Sequence, residues 1–364
     1  MRDRIHLPGL NGIRAIAAFV VIIHHIGLSL DQYNLRPKEG IDLAGYGVTI
    51  FFTLSGFLIT YLLLIEKARF GSIKIKQFYI RRILRIWPLY YFYLFLFIFT
   101  YLFINFHVVE NKYLLFTAFF SANVPFILGV PMGFISHFWS LGVEEQFYLF
   151  WPWIVKKVRN LAKAMLVFIA VFLILKIAAW VLFQKTGELI PYMTLHVTRF
   201  DCMAIGGYGA LLFYQKKEFF LRFFYSLPVQ VICWLSLLLL AFNSFAIPSV
   251  IKDEVVSVIA LGVIVNVSSN PRSIIKLTGK IPDLLGQISY GLYVYHMIVI
   301  FFLARWFSTT LRDIPTDIRV VLIYALVIVF TIFISFISYK YFEKWFLVMK
   351  KTYTRVESQP GEHL

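Results

Sequence analysis

Arg14 and His25 stand within an apolar segment near the start of the chain, GLNGIRAIAAFVVIIHHIG at residues 9–27, where ionisable side chains are unexpected. An imidazole can accept a proton from a hydroxyl group, and a guanidinium can bind an anion. On an α-helix the two side chains fall on one face, separated by a rise of about 16 Å, whereas His24 points about 100° away from His25. The pattern predicts a helix face with a cation at one end and a general base at the other. The alternative is that Arg14 snorkels and His25 packs at a helix end.

Two adjacent carboxylates, Glu144 and Glu145, occupy an aromatic segment that reads FWSLGVEEQFYLFWPW at residues 138–153. A carboxylate beside an imidazole can orient its tautomer and strengthen it as a base. Both glutamates are expected at a depth in the membrane comparable to that of His25, so both are candidate catalytic partners for it. A helix-capping or packing role is the alternative.

Arg82 and Arg85 are three residues apart and therefore share a face if the segment is helical. Guanidinium groups suit phosphate oxygens, so these two arginines, together with Arg14, are candidate ligands for a phosphorylated molecule. For the neighbouring basic segment Lys67–Lys76 we favour the general excess of positive charge that cytoplasmic loops carry. That excess is also the alternative interpretation of Arg82 and Arg85.

Three further polar side chains lie in predicted helices. Ser55 is a candidate substrate contact or an interhelical hydrogen-bond donor, but no GxSxG motif marks it as a nucleophile. Asp201, near the start of its helix, is expected either to contact an acceptor hydroxyl group or to act as the anion at the helix N-terminus. His296 is expected to be buried in a hydrogen-bonded cluster. The eight histidines form no HExxH or comparable motif, so we expect no metal site.

The elements that position these residues must lie in a membrane. Hydrophobic residues make up 60% of the 364 residues and charged residues only 15%, against about 25% charged residues in ordinary soluble domains. Such a chain cannot cover its apolar surface with polar groups, so it is predicted to form an all-α polytopic bundle in the bilayer. A spanning helix needs about 20 mostly apolar residues, and about ten such segments are found. They are residues 10–29, 45–66, 86–106, 138–155, 163–183, 200–215, 225–244, 250–268, 286–306 and 318–341.

Two local features qualify this arrangement. The apolar stretch Leu115–Pro131 is interrupted by Asn123, Pro125 and Gly129, which predicts a re-entrant or interfacial segment rather than a further span. Gly56 lies in the middle of a span and would allow either the close approach of a second helix or a narrow tunnel.

The net charge of +16 is explained by topology rather than by nucleic-acid binding. Lys and Arg are concentrated in alternate loops and at both ends of the chain, which predicts that both termini lie in the cytoplasm. The basic residues form no separate domain, so no nucleic-acid partner is expected. We expect a multi-pass protein of the inner or plasma membrane, with a transmembrane domain at residues 1–346 and a short cytoplasmic tail at 347–364.

Six segments of the chain, taken in order, resemble the membrane acyltransferase 3 family. Arg14 and His25 match the arginine, ten residues and histidine of the family's first span. Thr49 departs from the family, because many members have an acidic residue there. The resemblance covers about residues 8–346. The other five segments are Gly47–Thr60 (GVTIFFTLSGFLIT), Phe78–Tyr91 (FYIRRILRIWPLYY), Phe138–Trp153, Ile288–His296 (ISYGLYVYH) and Ser338–Phe346 (SYKYFEKWF).

The resemblance implies an O-acyltransferase that moves an acyl group, usually acetyl, from acetyl-CoA to a hydroxyl group of a cell-envelope glycan. With that donor, we expect the coenzyme A phosphates to bind Arg82, Arg85 and Arg14, and His25 to act as general base with help from a neighbouring glutamate. Direct transfer and an acyl-histidine intermediate both remain open.

The expected partners are a glycan or lipid-linked saccharide acceptor and membrane lipid, and a homo-oligomer remains open. The alternative function is a transporter or exporter of a small anionic or acylated metabolite, because intramembrane Arg and His can also line a substrate path. The lack of an inverted repeat counts against that alternative.

Overall fold

The computed structural model describes residues 5–37, 42–103, 110–242, 250–310, 314–356 and 358–359. Helices dominate these residues, so the prediction of an all-α architecture is confirmed for them. The one exception among them is a short parallel pairing of β1 (Ile5–His6) with β2 (Ser358–Gln359). Residues 1–4 and 360–364, on which part of the predicted orientation and tail depends, lie outside the described residues.

The first half of the chain contains the helices that four of the six family-like motifs occupy. Asp42 caps one of them, α2, by accepting a hydrogen bond from the Gly45 amide at 2.9 Å, and Gly71 ends it in the left-handed conformation at φ 69°. The predicted interruption of 115–131 is present as two short helices, α4 and α5. The helices are α1 (Leu10–Leu28), α2 (Leu43–Phe70), α3 (Ile75–Phe103), α4 (Asn111–Ala118), α5 (Asn123–Ile127) and α6 (Phe138–Lys157), with 3-10 turns at Ser29–Tyr33 and Gly133–Ile135.

The second half begins with a long helix and ends with a helix that continues past the predicted domain boundary at residue 346. A π-helical turn at Tyr339–Glu343 joins the last two helices. The helices are α7 (Leu161–Thr186), α8 (Leu189–Thr198), α9 (Phe200–Tyr214), α10 (Glu218–Tyr225), α11 (Leu227–Ala241), α12 (Lys252–Ser269), α13 (Lys280–Gln287), α14 (Ser289–Thr310), α15 (Thr316–Ser338) and α16 (Lys344–Thr352).

Six helices in the described ranges are long and apolar enough to cross a membrane, and the bent pair α10–α11 would make a seventh. They are α1 with its following turn, α2, α3, α7, most of α14, and the run from α15 through α16. Helix α9 has 15 residues and is therefore about 22 Å long, short of the roughly 30 Å hydrocarbon core. The count of about ten spans and the cytoplasmic placement of both termini therefore stay predictions.

Helix α2 lies at the centre of the bundle, between α1 and α9. A side chain at Gly56 would overlap the carbonyl oxygen of Met203, and one at Gly206 would overlap that of Thr53. The two glycines therefore let the backbones of α2 and α9 touch, which is the first of the two arrangements expected at Gly56.

Helix α14 packs against α1 along a buried apolar seam. Ile22 and Ile26 of α1 share one hydrophobic cluster with Leu292 and Val299 of α14, and all four side chains are at most 4% exposed. This packing brings the end of the ISYGLYVYH segment beside the C-terminal half of α1, so that two histidines far apart in sequence, His25 and His296, come into contact.

Candidate active site

Three imidazole rings from three different helices meet around α1. Nδ1 of His25 lies 2.9 Å from Nε2 of His296, and the two rings are nearly parallel, with centroids 5.0 Å apart. The ring of His137, the residue before α6, lies 4.9 Å from that of His296 in an edge-on arrangement. We call these three residues the histidine cluster. His296 is fully buried, as expected from the sequence, whereas His25 remains partly accessible.

The histidine cluster is held by hydrogen bonds to neighbouring backbone and hydroxyl groups. The Tyr293 hydroxyl donates to the His137 carbonyl at 2.8 Å and lies 2.5 Å from the Ser140 hydroxyl. Nε2 of His137 lies 3.2 Å from the Val294 carbonyl, and its Nδ1 is buried with no hydrogen-bond partner in the described part of the chain. A buried acceptor without a partner is rare in proteins and marks a place where a ligand hydroxyl or water can bind.

Basic side chains gather at the other end of the same helix. Arg82 and Arg85 of α3 both act electrostatically on Arg14 of α1, so the three arginines predicted to bind one ligand are indeed brought together. Lys350 of α16 interacts electrostatically with the same three arginines. We call Arg14, Arg82, Arg85 and Lys350 the basic cluster. Like charges repel strongly at low dielectric, so a bound polyanion would stabilise this cluster.

Arg82 is the member of the basic cluster with the clearest local setting. Its guanidinium lies 5.7 Å from the centroid of the Phe78 ring and 5.4 Å from that of Tyr148, both within the range of cation–π attraction. Its Nε is buried and has no hydrogen-bond partner among the described residues. A phosphate oxygen is the kind of acceptor that such a donor requires.

The two candidate glutamates do not contact His25. Glu144 accepts hydrogen bonds from the hydroxyl groups of Ser55 and Tyr148. Glu145 accepts one from Nε1 of Trp87 at 3.1 Å, and its other carboxylate oxygen is buried without a partner in the described ranges. The glutamates therefore face α2 and α3, on the side of the basic cluster, and the structure gives His25 a histidine rather than a carboxylate as its partner.

Ser55 and Asp201, the two candidate substrate contacts, lie in different places. The Ser55 hydroxyl makes the interhelical hydrogen bond to Glu144 that was one of its two expected roles. Asp201 is fully buried in the first turn of α9, where it accepts a hydrogen bond from the Cys202 amide at 3.0 Å. Asp201 also neighbours Glu254 and Lys176, so it belongs to a second polar region.

That second region is a buried ion network that joins α7, α8, α9 and α12. The ammonium group of Lys176, which is completely buried, lies 2.9 Å from Glu254 and 3.4 Å from Asp253. Asp253 also lies 3.3 Å from Arg199 and 3.1 Å from His196. We call these five residues the ion network. Its charges largely compensate one another, as buried charges must.

The ion network reaches the position at which the chain departs from the family motif. Arg199 donates a hydrogen bond to the Thr49 hydroxyl at 2.8 Å, and Oδ1 of Asp253 lies 3.5 Å from the same hydroxyl. A carboxylate is therefore present beside residue 49 although the residue itself is a threonine. At the edge of the network, burial alone would raise the pKa of Asp42, but the ammonium of Lys252 at 2.8 Å lowers it below its usual value.

Comparison with known proteins decides the family. A family model described as an acyltransferase domain matches residues 7–340, nearly the whole chain. The chain belongs to the acyltransferase 3 family. The motif resemblance seen in the sequence is therefore confirmed.

Relatives within the acyltransferase 3 family have named activities. The peptidoglycan O-acetyltransferase OatA of Listeria monocytogenes is 28% identical over 327 residues, which cover 82% of this chain and 50% of that protein. The O-acetyltransferase OatA of Staphylococcus aureus is 27% identical over 368 residues, which cover 93% of this chain and 57% of that protein. The chain thus spans about half the length of these curated relatives. No solved structure matches it.

Two members of the acyltransferase site escaped the sequence analysis. His137 directly precedes the Phe138–Trp153 motif, and its position at the start of a helix that carries two glutamates was the available signal. Lys350 follows the last motif and looks like an ordinary basic residue of a C-terminal segment. Among the described residues, no group of three or more His, Cys, Asp and Glu side chains is arranged to hold a metal ion.

Proposed function

We propose that this acyltransferase moves an acetyl group from cytoplasmic acetyl-CoA to a hydroxyl group of a glycan on the opposite side of the membrane. The observation that carries the proposal is that α1 presents the basic cluster at one end and the histidine cluster at the other. The rise from Arg14 to His25 is about 16 Å, a distance that an extended pantetheine arm can bridge.

The basic cluster suits the phosphate groups of coenzyme A. Arg14, Arg82 and Arg85 supply guanidinium donors, and Lys350 adds an ammonium group. Because these cations lie close together, an anion with several charges relieves their mutual repulsion, which a neutral metabolite would not do. The donor side of the reaction is therefore assigned to the ends of α1, α3 and α16.

His25 is the proposed base, because its ring is partly accessible and lies in the histidine cluster. The acceptor hydroxyl gives its proton to the imidazole while its oxygen attacks the thioester carbonyl carbon. The carbon–sulfur bond then breaks, and the coenzyme A thiolate takes up the proton, so that an ester and free coenzyme A are formed. In the variant route the same imidazole nitrogen attacks first and forms an acyl-histidine, which the hydroxyl group then resolves.

The choice of a glycan acceptor is supported by the relative named as a peptidoglycan O-acetyltransferase. The acceptor class agrees with a base at the far end of α1, where an extracytoplasmic hydroxyl group could reach it. Acyl transfer is favoured over export of a metabolite by the family to which the chain belongs.

The test uses the full chain purified in detergent with radiolabelled acetyl-CoA and soluble muropeptides. We expect His25→Ala to lower the release of free coenzyme A and the labelling of muropeptide by at least about 100-fold, the usual contribution of a general base. The comparison variant is His24→Ala, which removes the adjacent imidazole of α1, whose ring centroid lies 5.7 Å from that of His25. Wild-type rates in His25→Ala would eliminate the proposed mechanism. Activity that requires sealed vesicles would favour the exporter.

A further inference from the structure

His296 makes a second hydrogen bond on the side of its ring that faces away from His25, and this bond determines which of its nitrogens carries hydrogen. Nδ1 of His296 lies 2.6 Å from the carbonyl oxygen of Tyr293, one turn earlier on α14. A carbonyl oxygen can only accept a hydrogen bond, so Nδ1 must be the donor.

The other nitrogen of His296 must then accept. The side chain is fully buried, and no carboxylate is hydrogen-bonded to it or to His25 within the described part of the chain. An isolated buried charge costs free energy, so the His296 ring is neutral and its Nε2 carries a lone pair instead of a hydrogen. At 2.9 Å, that lone pair accepts a hydrogen bond from Nδ1 of His25.

The tautomer of His25 follows from this chain of bonds. Because Nδ1 of His25 carries the hydrogen, its Nε2 has the free lone pair. No hydrogen-bond partner for Nε2 of His25 occurs among the described residues, and the His25 side chain is only partly buried. The atom that can receive a proton is therefore the atom left open to a substrate.

We propose that His296 is the positioning residue of the acyltransferase site and holds His25 in the tautomer whose Nε2 acts on the acceptor hydroxyl. This inference rests on the proposed function, in which His25 is the base. His296 takes the place that a carboxylate occupies in a Ser-His-Asp triad, but as a neutral acceptor whose own orientation is fixed by a backbone carbonyl.

The surrounding contacts keep His296 in this orientation. The Tyr293 hydroxyl and the ring of His137 fix the turn of α14 that precedes it, through the His137 and Val294 carbonyl groups. The edge-on ring of His137, with its centroid 4.9 Å away, blocks rotation of the His296 ring. The glutamates of α6 play no direct part, because they contact α2 and α3.

The experiment compares His296→Gln with His296→Phe in the assay that follows coenzyme A release. A glutamine places its amide oxygen near the position of Nε2 and can accept from His25, whereas phenylalanine fills the space without an acceptor. We expect His296→Phe to lower kcat about 100-fold with a change in KM for acetyl-CoA below about threefold, and His296→Gln to recover activity to within about tenfold of wild type. His296→Leu is the second apolar variant if the phenyl ring does not fit.

Two outcomes would overturn the inference. One is a folded His296→Phe or His296→Leu protein that keeps the wild-type kcat, and the other is an equal loss in the glutamine and apolar variants, which would indicate a packing role. Folding is checked by gel filtration and by the thermal midpoint. The His25→Ala variant distinguishes failure of the proposed function from failure of this inference. If His25→Ala is active, the proposed function itself is wrong. If His25→Ala is inactive but His296→Phe is fully active, only the role of His296 is wrong.

Discussion

At the scale of single residues, the site contains two side chains, His25 and Arg82, that require different hydrogen-bond partners. His25 needs a partner that selects one tautomer, and it finds a neutral imidazole 2.9 Å away. Arg82 needs an acceptor, and its Nε has none within the described ranges. The first need is met within the protein, whereas the second is met by a ligand in the proposed function. The two residues therefore lend themselves to different experiments.

Arg82 is the residue at which donor recognition can be tested most directly. We expect Arg82→Gln to raise KM for acetyl-CoA about 10- to 100-fold, because a hydrogen bond between charged groups is worth about 1.5–3 kcal/mol. The same variant should discriminate less than wild type between acetyl-CoA and acetyl-dephospho-CoA if Arg82 binds the ribose phosphate.

The matched control for Arg82 is Arg159→Gln, which removes the same charge from an exposed position just after α6. We expect Arg159→Gln to leave KM for acetyl-CoA within about twofold of wild type, because an exposed charge in a screened loop contributes little to binding. Equal KM values in wild type and Arg82→Gln would show that Arg82 contributes only to the general positive charge at this end of the bundle.

At the scale of elements, the bundle depends on backbones that touch where α2 crosses α9. We expect Gly56→Ala to destabilise the protein by about 1–3 kcal/mol, because the new methyl group overlaps the Met203 carbonyl oxygen and forces the helices apart. The measurement is the thermal midpoint in detergent. Ala178→Val adds bulk on the exposed face of α7 and should leave the midpoint unchanged. A Gly56→Ala protein as stable as wild type would contradict the tight crossing.

Periodicity predicted much of what single helices do. The face of α1 that holds Arg14 and His25 follows from 3.6 residues per turn, and the structure places Arg14 in the basic cluster and His25 in the histidine cluster. The arginine pair of α3 and the interruption of 115–131 were predicted for similar local reasons. Local rules succeed here because each feature lies within one helix or one short segment.

Contacts between distant helices were not predictable in the same way. The partner of His25 is His296, which is 271 residues away in sequence, and it depends on how α14 docks on α1. Glu144 and Glu145 were both predicted as candidate partners for His25. Adjacent residues on a helix point about 100° apart, so the rotation of α6 decides what each one meets, and it turns them toward Ser55 and Trp87.

At the scale of the whole molecule, the ion network is the main polar junction away from the site. It ties α7, α8, α9 and α12 together around Lys176 and Asp253, and Arg199 connects it to α2. Neither carboxylate is left without a cation. This compensation explains how a bundle with so few charged residues can hold several of them completely buried.

Removing one side of the ion network should destabilise the entire bundle. We expect Lys176→Met to lower the free energy of unfolding by about 3–5 kcal/mol, because Glu254 then loses its buried cation and Asp253 keeps only Arg199 and His196. Adding Glu254→Gln should restore part of this stability, since the surplus negative charge is reduced. Thermal midpoints of the single and double variants measure both effects.

The control for Lys176 is Lys185→Met on the same helix, at an exposed position near its end. We expect Lys185→Met to behave like wild type in the thermal measurement. A Lys176→Met protein with an unchanged midpoint would show that the network adds nothing to the stability of the bundle, and a double variant weaker than the single one would contradict its electrostatic origin.

The oxygen that orients His296 belongs to the peptide bond of residue 293 and not to a side chain. Every amino acid encoded at that codon supplies the same oxygen, so mutation cannot delete it. A Ser-His-Asp triad needs a particular side chain at three positions, whereas here one of the three hydrogen-bonding groups is a main-chain oxygen that every residue type carries.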